Sequence, residues 1–541
     1  MVLRRARLSA CLTLLAATAT LVAACGDSSA TSSQSSTSLT FTRLGINTAG
    51  FGPSNQSTGN DAVVNSLLFS NLVKVAPDEK SIIPDLAQTW DQSPDAKEFT
   101  FHLRQGVTWS DGQPFTADDV VFTVTQAAQL GPTAYVGYQP TQWRQVVGAT
   151  EAKGTKNPVS GVTAIDDHTV KMTLAAPNAE FIRNLTDAVY SIVPKHLLQD
   201  ATAENVRTVE FSKSKPVGTG PYVLEKAVPD QYLQFKANPK YFGDAPKIAT
   251  LFFKLNVKPE SVAAQLQSGE LGMVLNAAAS DAPALSAVKG LTTKFVVSPA
   301  AQFLQFRTDH PQAKDVRLRQ AIYYAIDRRA MLKNLFGDNG EIRWVLPGFD
   351  QNDPALDRYE YSPDKAKQLL AASGLDLGQP FKISYAQGVD PAWDQMMPAI
   401  QKYLKDVGLN AVLEPLDSAA WSAANASKDA KYPMTVNAGG SMGLSPDRSS
   451  GYFNCKAPLS SFYANCQMDD LYAKARGTTD ASTRADNYKQ VAQILNRDVP
   501  MVALWQTTTY NAWTGKLGGS FQVFANDRDS AFNVNGWTLA G

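Results

Sequence analysis

The chain has little histidine and little cysteine, four of each in 541 residues. His102, His168, His196 and His310 are scattered. No His-Glu-x-x-His, no phosphate-binding Gly-Lys-Ser/Thr loop and no Gly-x-Ser-x-Gly occurs. The common signatures of zinc hydrolases, nucleotide triphosphatases and serine hydrolases are therefore missing. No catalytic residue and no metal site is assigned, and each histidine reads as satisfied structure. Net charge is also lacking, with 50 Lys+Arg against 50 Asp+Glu. Nothing favours nucleic acid or an acidic membrane surface. Beyond the first 24 residues no apolar run approaches the ~18 residues needed to span a bilayer.

What is present begins with export. Arg4, Arg5 and Arg7 precede an uncharged apolar stretch, residues 8–24, ending in Val22-Ala23-Ala24-Cys25. This is a secretory signal, too short and wrongly flanked for a stable span. A cysteine directly after small residues looks like a bacterial lipobox, with cleavage before Cys25 and acylation of its thiol. Residues 25–38 are almost entirely Ser, Thr, Ala and Gln, a flexible tether. The expectation is a globular body held at the outer face of the cytoplasmic membrane. Its length allows two or three domains.

Once Cys11 leaves with the signal and Cys25 is the anchor, Cys455 and Cys466 remain. An oxidising compartment favours a disulfide between them. Closing so short a loop would contribute about 3 kcal/mol. A metal pair is the weaker alternative, because no His or further Cys lies close by.

Lys215-Pro216-Val217-Gly218-Thr219-Gly220-Pro221-Tyr222 is the stretch around which the chain is arranged. Two prolines and two glycines within six residues forbid a helix. Gly218 and Gly220 are free to take φ > 0. Residues 222–224 and 231–235 then read as a hairpin. Alternation predicts strands at 39–46, 99–104, 166–174, 248–255 and 303–306. Helices are expected at 61–73, after Thr116 with Asp119 closing a capping box, at 262–271, at 315–328, from Pro363 after the cap Ser362, and at 400–407 before the Gly408 stop. Asp111-Gly112 is a turn signal.

These motifs, in this order, resemble one family. They are Pro-Val-Gly-Thr-Gly-Pro-Tyr, Trp90 with the 99–104 strand and Trp109-Ser110-Asp111-Gly112, Thr116-Ala117-Asp118-Asp119-Val120, Val193-Pro194-Lys195-His196-Leu197, Asn238-Pro239-Lys240-Tyr241-Phe242, and the Arg319-x-Ala321-x-x-Tyr324-Ala325-Ile326-Asp327-Arg328 helix. The resemblance runs from about residue 39 to about 513. It is to the family-5 extracellular solute receptors of bacterial ABC importers, similar to the dipeptide-permease receptors. It implies an α/β, type II periplasmic-binding-protein-like fold, bilobed, with an extra third domain inserted in the first lobe. The expected division is 39–80, 208–298 and 514–541 for domain I, 81–207 for the inserted domain II, and 299–513 for domain III.

The resemblance implies a monomer that captures short peptides between its lobes by hinge closure. It would deliver them to transmembrane permease subunits served by separate cytoplasmic ATPases. The peptide amine should meet an acid on the loop after residue 437, where Asp447 is the only acid. The family's usual acid comes nearer the strand, about where Met442 stands. Gly439, Gly440 and Ser441 are expected as backbone donors. Asn47, Thr48, Gly50 and Phe51 on the first loop, and Trp421, complete the candidate wall. Dipeptide-specific members carry an Arg after a Leu-Pro like Leu346-Pro347; here Gly348 follows, and Arg343 is the nearest cation. That departure points away from a strict dipeptide limit, to longer peptides or to no peptide at all. Some relatives carry flat non-peptide cargo, so haem or a metal chelate is the alternative, with no cofactor otherwise. An extracellular hydrolase is the reading from another class.

Overall fold

The computed structural model describes residues 37–44, 50–56, 61–131, 134–135, 140–427, 431–439, 445–453, 455, 463–525, 531 and 533–540. The leader, Cys25 and the tether, with Asn47, Thr48, Gly440, Ser441 and Met442, lie outside the described residues. Among those described, no helix is long and apolar enough to cross a membrane.

One mixed sheet runs through the whole body. From one edge its strands are Tyr222–Val228, Tyr232–Ala237, Thr250–Lys254, Ser38–Arg43, Met273–Ala277, Met501–Thr514, Leu291–Phe306, Met434–Gly439, Phe381–Ala386 and Ala411–Leu416. Ser38–Arg43 is parallel to both Thr250–Lys254 and Met273–Ala277. Phe381–Ala386 is parallel to both Ala411–Leu416 and Met434–Gly439. The two long strands between these sets are antiparallel to each other. The expected strand at 303–306 is thus only the end of Leu291–Phe306; its first half lacks a buried apolar alternation, with Phe295 and Val297 exposed.

A second sheet of four antiparallel strands, Ala87–Gln92, Glu98–Leu103, Thr169–Thr173 and Val162–Asp166, carries its own core of Phe99, Phe101, Trp109 and Phe181. The expected single strand at 166–174 is a hairpin, because Asp166 accepts a hydrogen bond from the His168 amide (2.8 Å) and turns the chain. The capping box is present: the Asp119 carboxylate accepts from the Thr116 amide (3.1 Å) and the Trp109 indole (3.2 Å).

Gly218 and Gly220 join this body to the first. Neither uses the freedom to take a positive φ. They are glycines because of close approach. A Cβ on Gly218 would collide with the Leu68 carbonyl oxygen, and one on Gly220 would lie 2.6 Å from the Leu67 oxygen. The Gly220 amide donates to the Leu68 oxygen (2.9 Å) at the end of helix Asp61–Leu68, and the Ser110 amide donates to the Gly218 oxygen (2.9 Å).

The third body packs helices on both faces of its part of the long sheet. Pro391–Asp406 and Val316–Ala325 share a core with Phe306, Ile383 and Val436, while Cys466–Arg476 and Ala481–Asp498 pack with Phe303. The expected helix at 315–328 is two helices. Asp327 accepts from the Ala330 amide (2.9 Å) and so caps a new helix, Arg328–Phe336. The helix expected at 262–271 is Pro259–Ser268, closed by Gly269 in the left-handed region at φ 78°. Cys455 and Cys466 are disulfide-bonded, with Cα atoms 5.2 Å apart.

Candidate ligand cleft

The two long central strands hold the geometry of the site. They pair from Leu291↔Thr514 to Val297↔Thr508, break, pair again at Ala301↔Gln506 and Gln302↔Trp505, shift by one residue past Leu504, and pair from Phe303↔Ala503 to Gln305↔Met501. Residues 298–300 therefore face a single residue, a bulge that bends both strands. Pro299 within it has no amide to give the ladder. Its neighbours are held locally: the Ala300 amide donates to Ser298 Oγ (3.1 Å), and Gln506 Nε2 donates to the Ser298 oxygen (3.0 Å).

Register shows what converges on this bulge. Ala277, the last residue of its strand, pairs with Tyr510, two residues from Thr508. Gly439, the last residue of its strand, pairs with Ala301. The parallel neighbours of each end on the same side. Both parallel sets thus direct their carboxyl ends at the crossing from opposite directions, the place where open α/β sheets bind ligands.

On the first wall, Asn276, one residue before the end of its strand, and Asn256, two residues past the end of Thr250–Lys254, take the left-handed region, at φ 59° and 51°. Asn276 Nδ2 donates to the Leu44 oxygen (3.2 Å) and its backbone amide donates to Asn511 Oδ1 (3.0 Å). Gly50 and Phe51 share a pocket with Asn256. The Phe51 amide donates to the Ser212 oxygen (2.7 Å), and a Cβ on Gly50, at φ 147°, would meet that oxygen and Asn55. Gly50, Phe51, Lys213, Asp230, Leu233 and Asn256 line an open pocket of about 190 Å³.

On the opposite wall, Gln302 is clamped between Trp393 Nε1 (2.8 Å) and Asp390 Oδ2 (3.1 Å). Trp421 is half-buried on Trp393, ring centres 5.6 Å apart, and donates Nε1 to Thr435 Oγ1 (2.9 Å). It braces Trp393, which in turn holds Gln302. Arg343 is buried. Nε donates to the Val345 oxygen (3.4 Å), Nη2 to the Phe349 oxygen (3.0 Å), and Nη1 pairs with Glu341 (3.1 Å). Its guanidinium is engaged inside its own loop.

Asp447 lies in the short helix Pro446–Ser449 and is buried. One oxygen pairs with Arg476 Nε at 2.6 Å. Burial pushes its pKa above the ordinary carboxylate value, with Arg476 opposing. The structure therefore pairs Gly439 with Ala301 beside the bulge, sets Gly50 and Phe51 in the pocket shared with Asp230 and Asn256, holds Asp447 on an internal partner, and leaves Arg343 and Trp421 bonded to their own lobe. Arg476, which sequence reasoning missed, is 29 residues from Asp447 with no local signal linking them.

The histidines sit apart from the crossing. His102 pairs with Asp91 and His196 with Asp111, each at 2.8 Å, and His310 Nδ1 accepts from the Gln312 amide (3.1 Å). Among the described residues one group could offer three metal-ligand atoms, Cys455, Cys466 and Asp469, and its two sulfurs are bonded to each other.

Residues 81–460 match the family model described as bacterial extracellular solute-binding proteins, family 5 Middle. The chain is 28% identical over 486 residues to the dipeptide-binding protein of Escherichia coli K12, covering 85% of this chain and 88% of that one. The ABC transporter substrate binding protein CtaP of Listeria monocytogenes superposes with a TM-score of 0.79 at 24% identity, over 93% of this chain and 99% of that one. The oligopeptide-binding protein AppA of Bacillus subtilis, solved with a nonapeptide, superposes at 0.75 with 22% identity, over 93% and 99%.

Proposed function

The chain belongs to the bacterial extracellular solute-binding proteins of family 5, and from that we propose that it captures short peptides, longer than dipeptides, for an ABC importer. It is accordingly an exported substrate-binding protein. The observation that carries the reading is the convergence of two sets of parallel strand ends on one bulged crossing. Two walls meeting there can desolvate a guest, and strand ends at Gly439 and beside Gly50 offer main-chain groups to an extended backbone. Arg343 is engaged by Glu341, Val345 and Phe349, so no fixed carboxylate clamp comes from that segment, which supports cargo longer than two residues. Asp447 is the candidate partner of the peptide amine, held in place by Arg476. The protein binds its guest unmodified and passes it to permease subunits, anchored by acylated Cys25.

Native mass spectrometry of the purified chain, followed by thermal melts with peptides of two to nine residues, tests this. A bound peptide at 100 times its Kd should stabilise the fold by about 2.7 kcal/mol. No shift with any peptide, alongside a shift and a Soret-region band with haem, would overturn peptide capture in favour of haem.

A further inference from the structure

The inserted body touches the third body directly. Five contacts meet there. The Ala179 amide donates to the Arg476 oxygen (2.8 Å). Glu180 Oε1 pairs with Arg484 Nε (3.2 Å), and its Oε2 accepts from Ser445 Oγ (3.3 Å). Asp187 Oδ2 lies 3.9 Å from Arg448 Nη1. Gly477 packs against Pro177. The acids come from one body and the arginines from the other.

Both sides are built rigidly. Asn178 accepts from the Glu180 amide (3.0 Å), donates to Gln145 (2.8 Å), and gives its own amide to the Ala96 oxygen (2.9 Å). That pins the acidic corner to the four-stranded sheet. Arg476 ends helix Cys466–Arg476, where carbonyls lack partners within the helix, so the Ala179 amide satisfies one of them from across the gap. The same Arg476 holds Asp447. Glu180 and Asp187 have side chains only 12% and 8% exposed, and Arg484 and Arg448 23% and 20%. Such pairs are costly to break one-sidedly, because the partner left behind keeps a desolvated charge.

We propose that Ala179, Glu180 and Asp187 with Arg448, Arg476 and Arg484 form an ionic latch that holds the lobes shut and sets how long cargo stays. Through Arg476 the latch is joined to Asp447, so a shifted Asp447 loosens closure and closure in turn fixes Asp447. The proposal rests on lobe closure alone within the reading above, and its test uses no cargo, so failure of the latch and failure of peptide capture are distinguishable.

The experiment is amide exchange and small-angle scattering on the cargo-free chain at low and high NaCl, with Glu180→Gln, Arg484→Gln and the exchanged pair Glu180→Arg with Arg484→Glu. At low salt the wild type should be compact and Ala179 protected. Either single variant, or high salt, should speed Ala179 exchange about tenfold or more, with strand Glu98–Leu103 unchanged, and the exchanged pair should recover protection. Equal Ala179 exchange in wild type and single variants, an open scattering profile for the wild type at low salt, or loss of protection spreading into Glu98–Leu103 would each overturn the latch.

Discussion

A single missing methyl group decides the junction between the first two bodies. Gly218 and Gly220 are glycines because the Leu67–Leu68 backbone lies where a side chain would go, and backbone cannot move aside as a flexible side chain can. Gly218→Ala should cost about 3 kcal/mol or prevent folding, read as a fall in urea midpoint, whereas alanine at Gly154, which faces open space, is limited to the strain of its φ of 70°. Arg343 makes the contrasting case. Removing its guanidinium orphans the buried Val345 and Phe349 carbonyls, so Arg343→Ala should lose about 2–4 kcal/mol of stability. Peptide affinity per folded molecule should hold. A tenfold affinity loss with an unchanged melt would instead make Arg343 a ligand clamp.

At the scale of elements, local chemistry was legible wherever a short signal decides the structure. Thr116 and Asp119 close their helix start, Asp111-Gly112 turns the chain with Asp111 accepting from the Gln113 amide, and Cys455 meets Cys466. Boundaries failed where a longer pattern was overridden by one residue. Asp327 cut an apparently continuous amphipathic helix, and Pro259 with Gly269 moved another three residues towards the N-terminus. The candidate site was less legible, because its contacts join positions far apart. Glu180 meets Ser445 across 265 residues, Arg476 reaches Asp447 from another helix, and the register break at 298–300 has no local mark beyond Pro299. The helix caps carry a pH signature. Asp315 and Asp480 accept from the first-turn amides of their helices (2.8 and 2.7 Å), and Asp315, Asp480 and Asp498 are held below the ordinary carboxylate range, Asp315 and Asp480 chiefly by hydrogen bonds and Asp498 by Arg497 and Tyr463 against its own desolvation. Because their folded values lie below the unfolded ones, this stability is present above about pH 4 and is lost as pH falls through the folded values. Asp480→Asn keeps a capping oxygen and removes the charge, so the slope of melting temperature against pH should flatten in that acid window and remain unaltered at neutral pH. The disulfide belongs to this scale too. Cys466 begins the helix that ends at Arg476, and reduction should lower stability by about 3 kcal/mol, measured by denaturant melts with and without reductant.

For the whole molecule, the arrangement of pairing argues for rigid bodies turning about one crossing. The two central strands are laddered on both sides of residues 298–300, and each ladder belongs to a separate core. Opening by local unfolding would have to strip ladder hydrogen bonds from one core. Opening by rotation needs only altered dihedrals at the bulge, where Pro299 and the side-chain bonds of Ser298 and Gln506 already stand in for ladder pairing. Rotation is therefore the cheaper motion, and it leaves a definite exchange pattern. Amides in 291–297 and 301–306 should stay protected in the cargo-free chain, and the Ala300 amide, which sits in the register break and donates to Ser298 Oγ (3.1 Å), should exchange far faster. Locking the lobes with cargo should slow Ala300 and leave both flanking ladders as they were. Uniform protection along 291–306, or loss of protection throughout one flank on release of cargo, would mean that the lobes part by unfolding a ladder and that the bulge is not the hinge.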